Sequence, residues 1–335
     1  MLELDGSAGG GQLLRTALSL SAASGTPFRL TGVRGARPDP GLKRQHLAAV
    51  ETMAAIADAD VEGAELGSEA VTFEPGEVAP GEYEVDIATA GSTTLLFDAV
   101  LPLATAIEAP LSVTARGGTD VKWSPTTDYY RRVKLPLLAR HGLFAAVALD
   151  RRGFYPKGGG AATLRLAPST PAAPSLVDRG DLLGARVYSV ASVGLADADV
   201  AERQREEAAR LLAAADVEVR ERAATYARSD SPGSALSVRL EFERSAAGFD
   251  ALGEPGKPAE EVAADAVEPA LALVDGRVAV DEHLADQLVV PLALAGGEVA
   301  VPRVSDHVET SVDLVGEFGY DVEIADGDPP RIVGG

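Results

Sequence analysis

The sequence predicts an α/β fold in which three repeats form one body and a smaller α/β domain is inserted between the second and third repeats. The first observation is that three stretches share the order helix, strand, helix, strand, with further strands between them. The second is their spacing, because the first two stretches begin about 80 residues apart and the last two about 190 apart. A recurring order of elements indicates repeated units, and the extra length is that of a small domain.

The first repeat begins with a helix from Gln12, which is followed by a strand over 27–32. After a loop with two prolines, a second helix places Leu47, Val50 and Met53 on one face. This spacing is typical of a helix that packs one side against a core.

The second and third repeats follow the same order. The elements predicted in the second are a helix from Gly91, strand Leu111–Ala115, helix Asp128–His141 and strand Leu143–Leu149. Those predicted in the third are a helix from Leu284, strand Val299–Val301, helix Asp306–Phe318 and strand Tyr320–Ile324.

The segment between these repeats has its own pattern. Its predicted elements are strand Ala185–Val193, helix Val200–Ala215, strand Ala235–Glu243 and helix Ala259–Ala272. We therefore predict body repeats 1 and 2 in residues 1–181, an inserted domain in 182–273 and body repeat 3 in 274–335.

The composition is that of a soluble globular protein, with 46% hydrophobic and 24% charged residues among 335. No apolar run approaches the roughly 20 residues that span a bilayer, and no signal peptide opens the chain. The absence of cysteine excludes disulfides, thiolate metal sites and cysteine nucleophiles. We therefore expect a cytoplasmic protein with no membrane partner.

The net charge of −21 bears on the choice of partner. In dilute buffer so acidic a protein would repel phosphates. However, the chain has 5 lysines against 25 arginines, and scarce lysine with abundant acidic residues resembles proteins of salt-in halophiles. In molar salt the Debye length is about 3 Å, so we interpret the charge as an adaptation to halophilic solvent that leaves a nucleic-acid partner open.

His307 stands where the last predicted helix begins, with Asp306 and Glu309 spaced as in a capping box. The positive end of the helix dipole disfavours imidazolium and leaves a ring nitrogen free to attack. The unpaired N–H groups of a first helical turn also suit a phosphate. Nucleotidyl transfer through His307 is one interpretation, and an ordinary surface histidine is the other.

Two glycine-rich segments and a group of cations also stand out. Glycines at 9–11 precede the first helix, where backbone N–H groups could approach a phosphate, although a flexible turn is the alternative. Arg34, Arg37, Lys43 and Arg44 lie within eleven residues, as a phosphate site or as a solvated loop. The second glycine-rich segment, residues 153–160, has a hairpin turn as its simplest interpretation.

Taken together and in order, these segments resemble the RNA 3′-terminal phosphate cyclase family over essentially the whole chain. The matching runs are Leu4-Asp5-Gly6, Gly9-Gly10-Gly11-Gln12-Leu13-Leu14-Arg15, Pro40-Gly41-Leu42-Lys43-Arg44-Gln45-His46, Gly117-Gly118-Thr119-Asp120, Gly153 to Gly160, His283-Leu284-Ala285-Asp286-Gln287 and His307. The resemblance implies body repeats similar to the C-terminal domain of translation initiation factor 3, with a thioredoxin-like insert.

The chemistry that this resemblance implies is ATP-dependent conversion of an RNA 3′-phosphate to a 2′,3′-cyclic phosphate. His307 would attack the α-phosphate of ATP, hold AMP as a phosphoramidate and pass it to the RNA, before the 2′-hydroxyl closes the ring. Covalent catalysis of this kind divides one difficult condensation into easier steps. The implied partners are ATP, a divalent metal (Mg²⁺ or Mn²⁺) and an RNA with a 3′-phosphate, with a homodimer as one assembly.

The resemblance also assigns residues. His307 is the catalytic residue. The residues assigned to ATP binding are His283, Leu284, Ala285, Asp286, Gln287, Asp98 and Gln12. Those assigned to phosphate and RNA binding are Arg15, Arg34, Arg37 and Gln45. Asp286 could in addition orient His307 or a nearby amide, or alternatively cap a helix.

The chain departs from the family pattern at three places. The family's first motif usually reads Gly-Glu-Gly-Gly-Gly-Gln with a metal-binding glutamate, whereas this loop is two residues shorter and has Ala8 there. His283 stands where tyrosine is usual, and Asp98 where glutamine is common. The metal ligands are therefore unassigned, with Asp5 or the ATP phosphates as the candidates.

Two other functions remain open from the sequence. A non-catalytic, cyclase-like ribosome or RNA-processing factor would keep the fold without the nucleophile, and the short glycine loop is consistent with it. An enolpyruvyl transferase would share the repeats but would leave His307 and the segment at Gln45-His46 unexplained.

Overall fold

The computed structural model describes residues 1–7 and 9–335, so Ala8 lies outside the described residues. The described chain is mixed α/β, as predicted. Its first sheet consists of β1 (Leu2–Asp5), β2 (Phe28–Thr31), β3 (Asp60–Glu62) and β4 (Ala70–Glu74). The second consists of β5 (Glu82–Asp86), β6 (Leu111–Gly117), β7 (Ala145–Arg151) and β8 (Gly160–Leu166).

The two remaining sheets are interleaved in sequence. The third consists of β9 (Ser175–Leu176), β14 (Gly297–Ala300), β15 (Val322–Ala325) and β16 (Arg331–Gly334). The fourth consists of β10 (Leu182–Ser192), β11 (Val219–Ala227), β12 (Ser234–Phe242) and β13 (Ala246–Leu252). The chain thus leaves the third sheet after β9, forms the fourth sheet, and returns at β14.

The first three sheets have the same topology. In each, the strands lie in the order first, second, fourth, third along the chain. The first pair is parallel, and the other two pairs are antiparallel. The fourth sheet differs, since its order is β11-β10-β12-β13 with β10 and β11 parallel.

The helices of the described residues lie between and beside these sheets. They are α1 (Gly11–Ser24), α2 (Arg44–Ile56), α3 (Thr93–Val100), α4 (Thr127–Tyr129), α5 (Leu135–Arg140), α6 (Val200–Ala214), α7 (Ala259–Asp275), α8 (Glu282–Gln287), α9 (Val289–Ala295) and α10 (Asp306–Glu317). A π-helical stretch, Tyr130–Lys134, joins α4 to α5, and short 3₁₀ helices span Leu101–Thr105 and Val193–Ala198.

Two hydrophobic cores hold these layers together. In the larger core, α1 packs against α2, α3 and α10, so helices that accompany three different sheets meet there. Leu18, Val50 and Val315 are completely buried in it. The fourth sheet forms a separate core with α6 and α7 around residues such as Leu236 and Val267. In the part of the chain that the structure describes, no helix is both long and apolar enough to cross a membrane.

Candidate active site

The helices of the larger core open onto a cleft of about 1030 Å³. It collects residues that are far apart in the sequence. Of the residues assigned above, those that line it are Gln12, Arg15, Arg34, Arg37, Gln45, Asp98, His283, Asp286, Gln287 and His307. Leu284 and Ala285 do not line it, because both side chains are fully buried in the core.

His307 lies in the first turn of α10, exposed at the cleft. The predicted cap at Asp306 is wrong: Ser305 is the N-cap, and its hydroxyl accepts a hydrogen bond of 3.3 Å from the N–H of Val308. Serine competes equally well for this position, and Asp306 is the first helical residue instead. Neither ring nitrogen of His307 is hydrogen-bonded to a described residue, so both remain free for chemistry.

A polar contact joins the helix of His307 to the glycine-rich loop. Gln12 donates a hydrogen bond of 3.1 Å to the hydroxyl of Ser311, which lies one turn beyond His307 on α10. The start of α1 thereby faces the start of α10 across the cleft. The N-cap of α1 is Gly10, which has no side chain that could accept hydrogen bonds. No side-chain cap therefore occupies the first N–H groups of α1.

The three assigned arginines differ in how freely they can act. Arg15 and Arg37 form no ion pair or side-chain hydrogen bond with a described residue, whereas Arg34 donates 2.9 Å bonds to the carbonyls of Asp39 and Gly41. Burial lowers the pKa of Arg15 to about 10, an effect that nearby carboxylates oppose. Arg15 still carries its charge at neutral pH, so Arg15 and Arg37 are the cations available to an anionic ligand.

His46 is a cleft residue that the sequence assignment did not include. Burial lowers the pKa of His46 to about 3, and the neighbouring cations Arg15 and Arg34 add to the effect. Its Nδ1 accepts a 3.3 Å bond from the N–H of Lys43, so the neutral ring carries its proton on Nε2. A Cβ on Gly11 would lie 2.2 Å from this Nε2, which is why only glycine fits there.

Gln45 has a structural contact as well as a place in the cleft. Its Oε1 accepts a 3.0 Å bond from the N–H of Ser92 at the start of α3, which leaves its amide NH₂ for a ligand. The position of His46 beside Gln45 in the family-like run was the signal in the sequence that could have drawn attention to it.

Asp98 is paired rather than free. Its Oδ1 accepts a 2.5 Å bond from Nζ of Lys134, whose side chain is only 4% exposed. Lys134 was not predicted, because nothing in the local sequence around it distinguishes it from a surface lysine. The pair places a neutralised carboxylate in the wall of the cleft.

Asp286 and Gln287 carry polar atoms without partners. Oδ1 of Asp286 and Oε1 of Gln287 are buried and make no hydrogen bond to a described residue. Burial raises the pKa of Asp286 to about 7; His283 and Lys134 oppose this rise, and the carboxylates of Asp98 and Asp281 add to it. Buried polar atoms normally have partners, so these two are open to a ligand that enters the cleft.

Among the described residues, the side chain of Asp286 makes no hydrogen bond to His307 or to an amide, and Asp286 is not the helix cap, so its orienting role stays a prediction. The N-cap of α8 is Asp281, whose Oδ1 accepts a 2.9 Å bond from the N–H of Leu284. Oδ2 of Asp281 also accepts a 2.9 Å bond from Gly248 in the fourth sheet. Asp281 therefore ties the fourth sheet to the wall of the cleft.

The fourth sheet contributes its own carboxylate to the cleft. Asp250 of β13 lines the cleft and accepts a 2.9 Å bond from the N–H of Thr126. Burial raises the pKa of Asp250 to about 6. This residue was not predicted either, since it lies 124 residues from its partner in the chain.

The Gly117 and Gly153 segments pack together beside the cleft. The N–H of Thr119 donates a 2.9 Å bond to the carbonyl of Gly153. Arg152 is almost buried and pairs with Asp120 at 2.8 Å and with Asp128. The loop at 153–160 connects antiparallel strands β7 and β8, as in the hairpin interpretation, and its residues do not line the cleft.

The described residues do not fit a protein-held metal. They contain no group of three or more metal-ligating side chains. Both oxygens of Asp5, the carboxylate suggested for this role, accept 2.8 Å bonds from the N–H and hydroxyl of Ser7.

Comparisons with known proteins agree on one family. A family model described as RNA 3′-terminal phosphate cyclase matches residues 7–324. A protein of that name from Halobacterium salinarum is 50% identical, with 98% of each chain covered. The protein of that name from Pyrococcus furiosus is 40% identical, and the match covers 95% of this chain and 93% of that protein. The one from Ralstonia nicotianae is 41% identical, and the match covers 95% of this chain and 91% of that protein.

A solved enolpyruvyl transferase, NikO from Streptomyces tendae, is much less similar. The match covers 48% of this chain and 31% of the NikO chain at 19% sequence identity, with a TM-score of 0.26. A similarity this low bears on neither fold nor function.

Proposed function

The chain belongs to the RNA 3′-terminal phosphate cyclase family, and on that premise we propose that it uses ATP to convert an RNA 3′-phosphate into a 2′,3′-cyclic phosphate through an adenylylated His307. One observation carries the proposal. An exposed histidine with both ring nitrogens free shares a cleft with two cations, Arg15 and Arg37, that have no described ion-pair partner.

His307 acts as the nucleophile. A ring nitrogen forms a P–N bond to the α-phosphorus of ATP as the bond to the β-phosphate oxygen breaks and pyrophosphate leaves. An oxygen of the RNA 3′-phosphate then displaces the histidine, which gives an RNA-adenylate. Finally the 2′-oxygen attacks the 3′-phosphorus, its proton passes to solvent, and AMP leaves with the ring closed.

The surrounding residues bind and stabilise charge. Arg15 and Arg37, with the uncapped N-terminus of α1, are directed at phosphate oxygens whose charge grows during transfer. Asp286 and Gln287 supply unpartnered polar atoms for the nucleotide. The divalent metal, Mg²⁺ or Mn²⁺, stays a prediction and would enter with the nucleotide phosphates.

The architecture implied by the resemblance is also proposed. The shared topology of the first three sheets supports three repeats like the C-terminal domain of initiation factor 3 about a pseudo-threefold axis. The separate core of the fourth sheet supports an inserted, thioredoxin-like domain at 182–273. Repeat 3 at 274–335 then takes β9 from the chain before the insert. The homodimer, the halophilic solvent and the cytoplasmic location stay predictions.

The test is incubation with α-labelled ATP and Mg²⁺ or Mn²⁺ in molar KCl, followed by denaturing electrophoresis. We expect acid-labile label on the protein, lost in His307→Ala and kept in His141→Ala, a matched control because His141 lies outside the cleft. An RNA with a 3′-phosphate should become phosphatase-resistant, while a 3′-hydroxyl RNA stays unchanged.

The same experiment distinguishes the proposed cyclase from the alternative function. A non-catalytic RNA-processing factor would take no label under any metal or salt condition. Label that persists in His307→Ala would show that the nucleophile is a different residue.

A further inference from the structure

We propose that Trp123 is a stacking platform for a nucleobase of the RNA next to its 3′-phosphate end. The inference rests on the proposed function, which supplies the RNA, and it adds a residue that the family-like motifs do not assign. Trp123 lines the cleft together with Arg15, Arg37 and His307, yet the residue is 94% exposed. An indole so placed has a whole aromatic face available to a ligand.

The backbone conformation of Trp123 is unusual. Trp123 has a φ of 62°, in the left-handed region, which is an outlier for a bulky residue. Such conformations persist only where the surroundings enforce them, and they cluster at ligand sites. An exposed indole forgoes the free energy of burial, so packing does not account for this position.

The residues on both sides of Trp123 form polar contacts. The hydroxyl of Ser124 donates a 2.9 Å bond to the carbonyl of Val121, which is itself buried. Nζ of Lys122 pairs with Glu254 of the segment after β13 at 2.8 Å. The loop is thus held at the buried Val121, and the Lys122–Glu254 pair connects it to the segment after β13.

The chemistry of the rim favours a nucleobase as the occupant. Among the exposed large hydrophobic residues of the described chain, only Trp123 lines the cleft, so it is not part of an apolar patch for a protein partner. An aromatic ring in the same cleft as cations without ion-pair partners is typical of a site for single-stranded nucleic acid. The adenine of ATP is the other candidate occupant and is separated by the test.

The test uses the fact that Trp123 is the only tryptophan of the chain. Its fluorescence should be quenched when the wild-type protein is titrated with a short 3′-phosphorylated oligoribonucleotide. Inorganic phosphate or a non-hydrolysable ATP analogue alone should leave it largely unchanged. Quenching by the analogue equal to that by RNA would overturn the proposal, and so would the absence of quenching by RNA.

Variants give a second readout. Trp123→Ala should raise the KM for RNA roughly 5- to 100-fold, the usual effect of losing one stacked base, and Trp123→Phe should raise it less. Tyr155→Ala is the matched control, since Tyr155 is 73% exposed but outside the cleft. An unchanged KM in Trp123→Ala would refute the stacking role.

The first step alone, adenylylation of His307 by ATP without RNA, distinguishes the two proposals. Labelling of His307 by ATP does not involve RNA, so Trp123→Ala should still take label. If wild-type protein takes no label, the proposed function fails, whereas normal labelling with an unchanged KM for RNA in Trp123→Ala rejects only the stacking platform.

Discussion

Replacing Asp286 by asparagine should stabilise the protein at neutral and alkaline pH. The folded-state pKa of Asp286 is raised from 3.8 to about 7 by burial, so the folded protein holds a proton there that the unfolded chain releases. Below about pH 4 both states are protonated and the carboxyl has no effect on the free energy of unfolding. Between about pH 4 and 7 that free energy falls as pH rises, by about 1.4 kcal/mol for each unit.

The size of the pKa shift of Asp286 determines how much the free energy of unfolding changes. Integrated over about three pH units it amounts to roughly 4 kcal/mol, and screening at the mouth of the cleft reduces this to roughly 2–4 kcal/mol. Asparagine keeps the shape without the charge. The difference in unfolding free energy between Asp286→Asn and wild type, measured with denaturant at pH 5 and pH 8 in molar KCl, should therefore grow with pH in favour of the variant.

The control is Asp306→Asn, which removes an exposed carboxylate next to His307 in the chain. The difference in unfolding free energy between Asp306→Asn and wild type should change little from pH 5 to pH 8. If Asp286→Asn behaves like this control, or becomes less stable as pH rises, the argument from burial of the carboxyl is refuted.

Two further predictions concern packing and buried charge. Gly11→Ala should cost about 1–3 kcal/mol in denaturant unfolding, because its Cβ would meet His46 at 2.2 Å. Gly316→Ala, where nothing lies within 4 Å in a helix, should instead stabilise by up to about 1 kcal/mol, and equal behaviour of the two would contradict this. Arg152→Met should cost about 3–5 kcal/mol in the same assay, because it leaves the buried carboxylate of Asp120 without an ion-pair partner and leaves Asp128 only its pair with Arg132. Arg151→Met, which breaks only an exposed pair, should cost less than about 1 kcal/mol, and a similar loss in both would count against the buried network.

Periodicity predicted the long elements well, because one packed face leaves a regular mark on the sequence. The helix predicted at Val200–Ala215 is found at Val200–Ala214, and that at Asp306–Phe318 at Asp306–Glu317. Short edge strands such as β9 leave no such mark. The cap of α10 was misplaced by one residue, since Ser305 and Asp306 are both good caps and only the backbone geometry decides between them.

The candidate site was predictable where one run of residues carries it and not where distant segments meet. Ten of the assigned residues line the cleft, but Leu284 and Ala285 share a run with Asp286 and face the core instead. A motif gives consecutive residues, whereas a helix turns only some of them toward a ligand. Lys134 and Asp250 reach the cleft through tertiary contacts, which no local pattern encodes.

The pairing of β9 with β14 has a consequence for synthesis of the protein on the ribosome. The two strands are separated by about 120 residues of chain, so at typical translation rates β9 waits on the order of 10 s for its neighbour. Arg15 and Arg37 emerge long before that, and His307 follows β14. A nascent chain therefore presents these two arginines without the proposed nucleophile, and the candidate site can assemble only after β14 and α10 have been made.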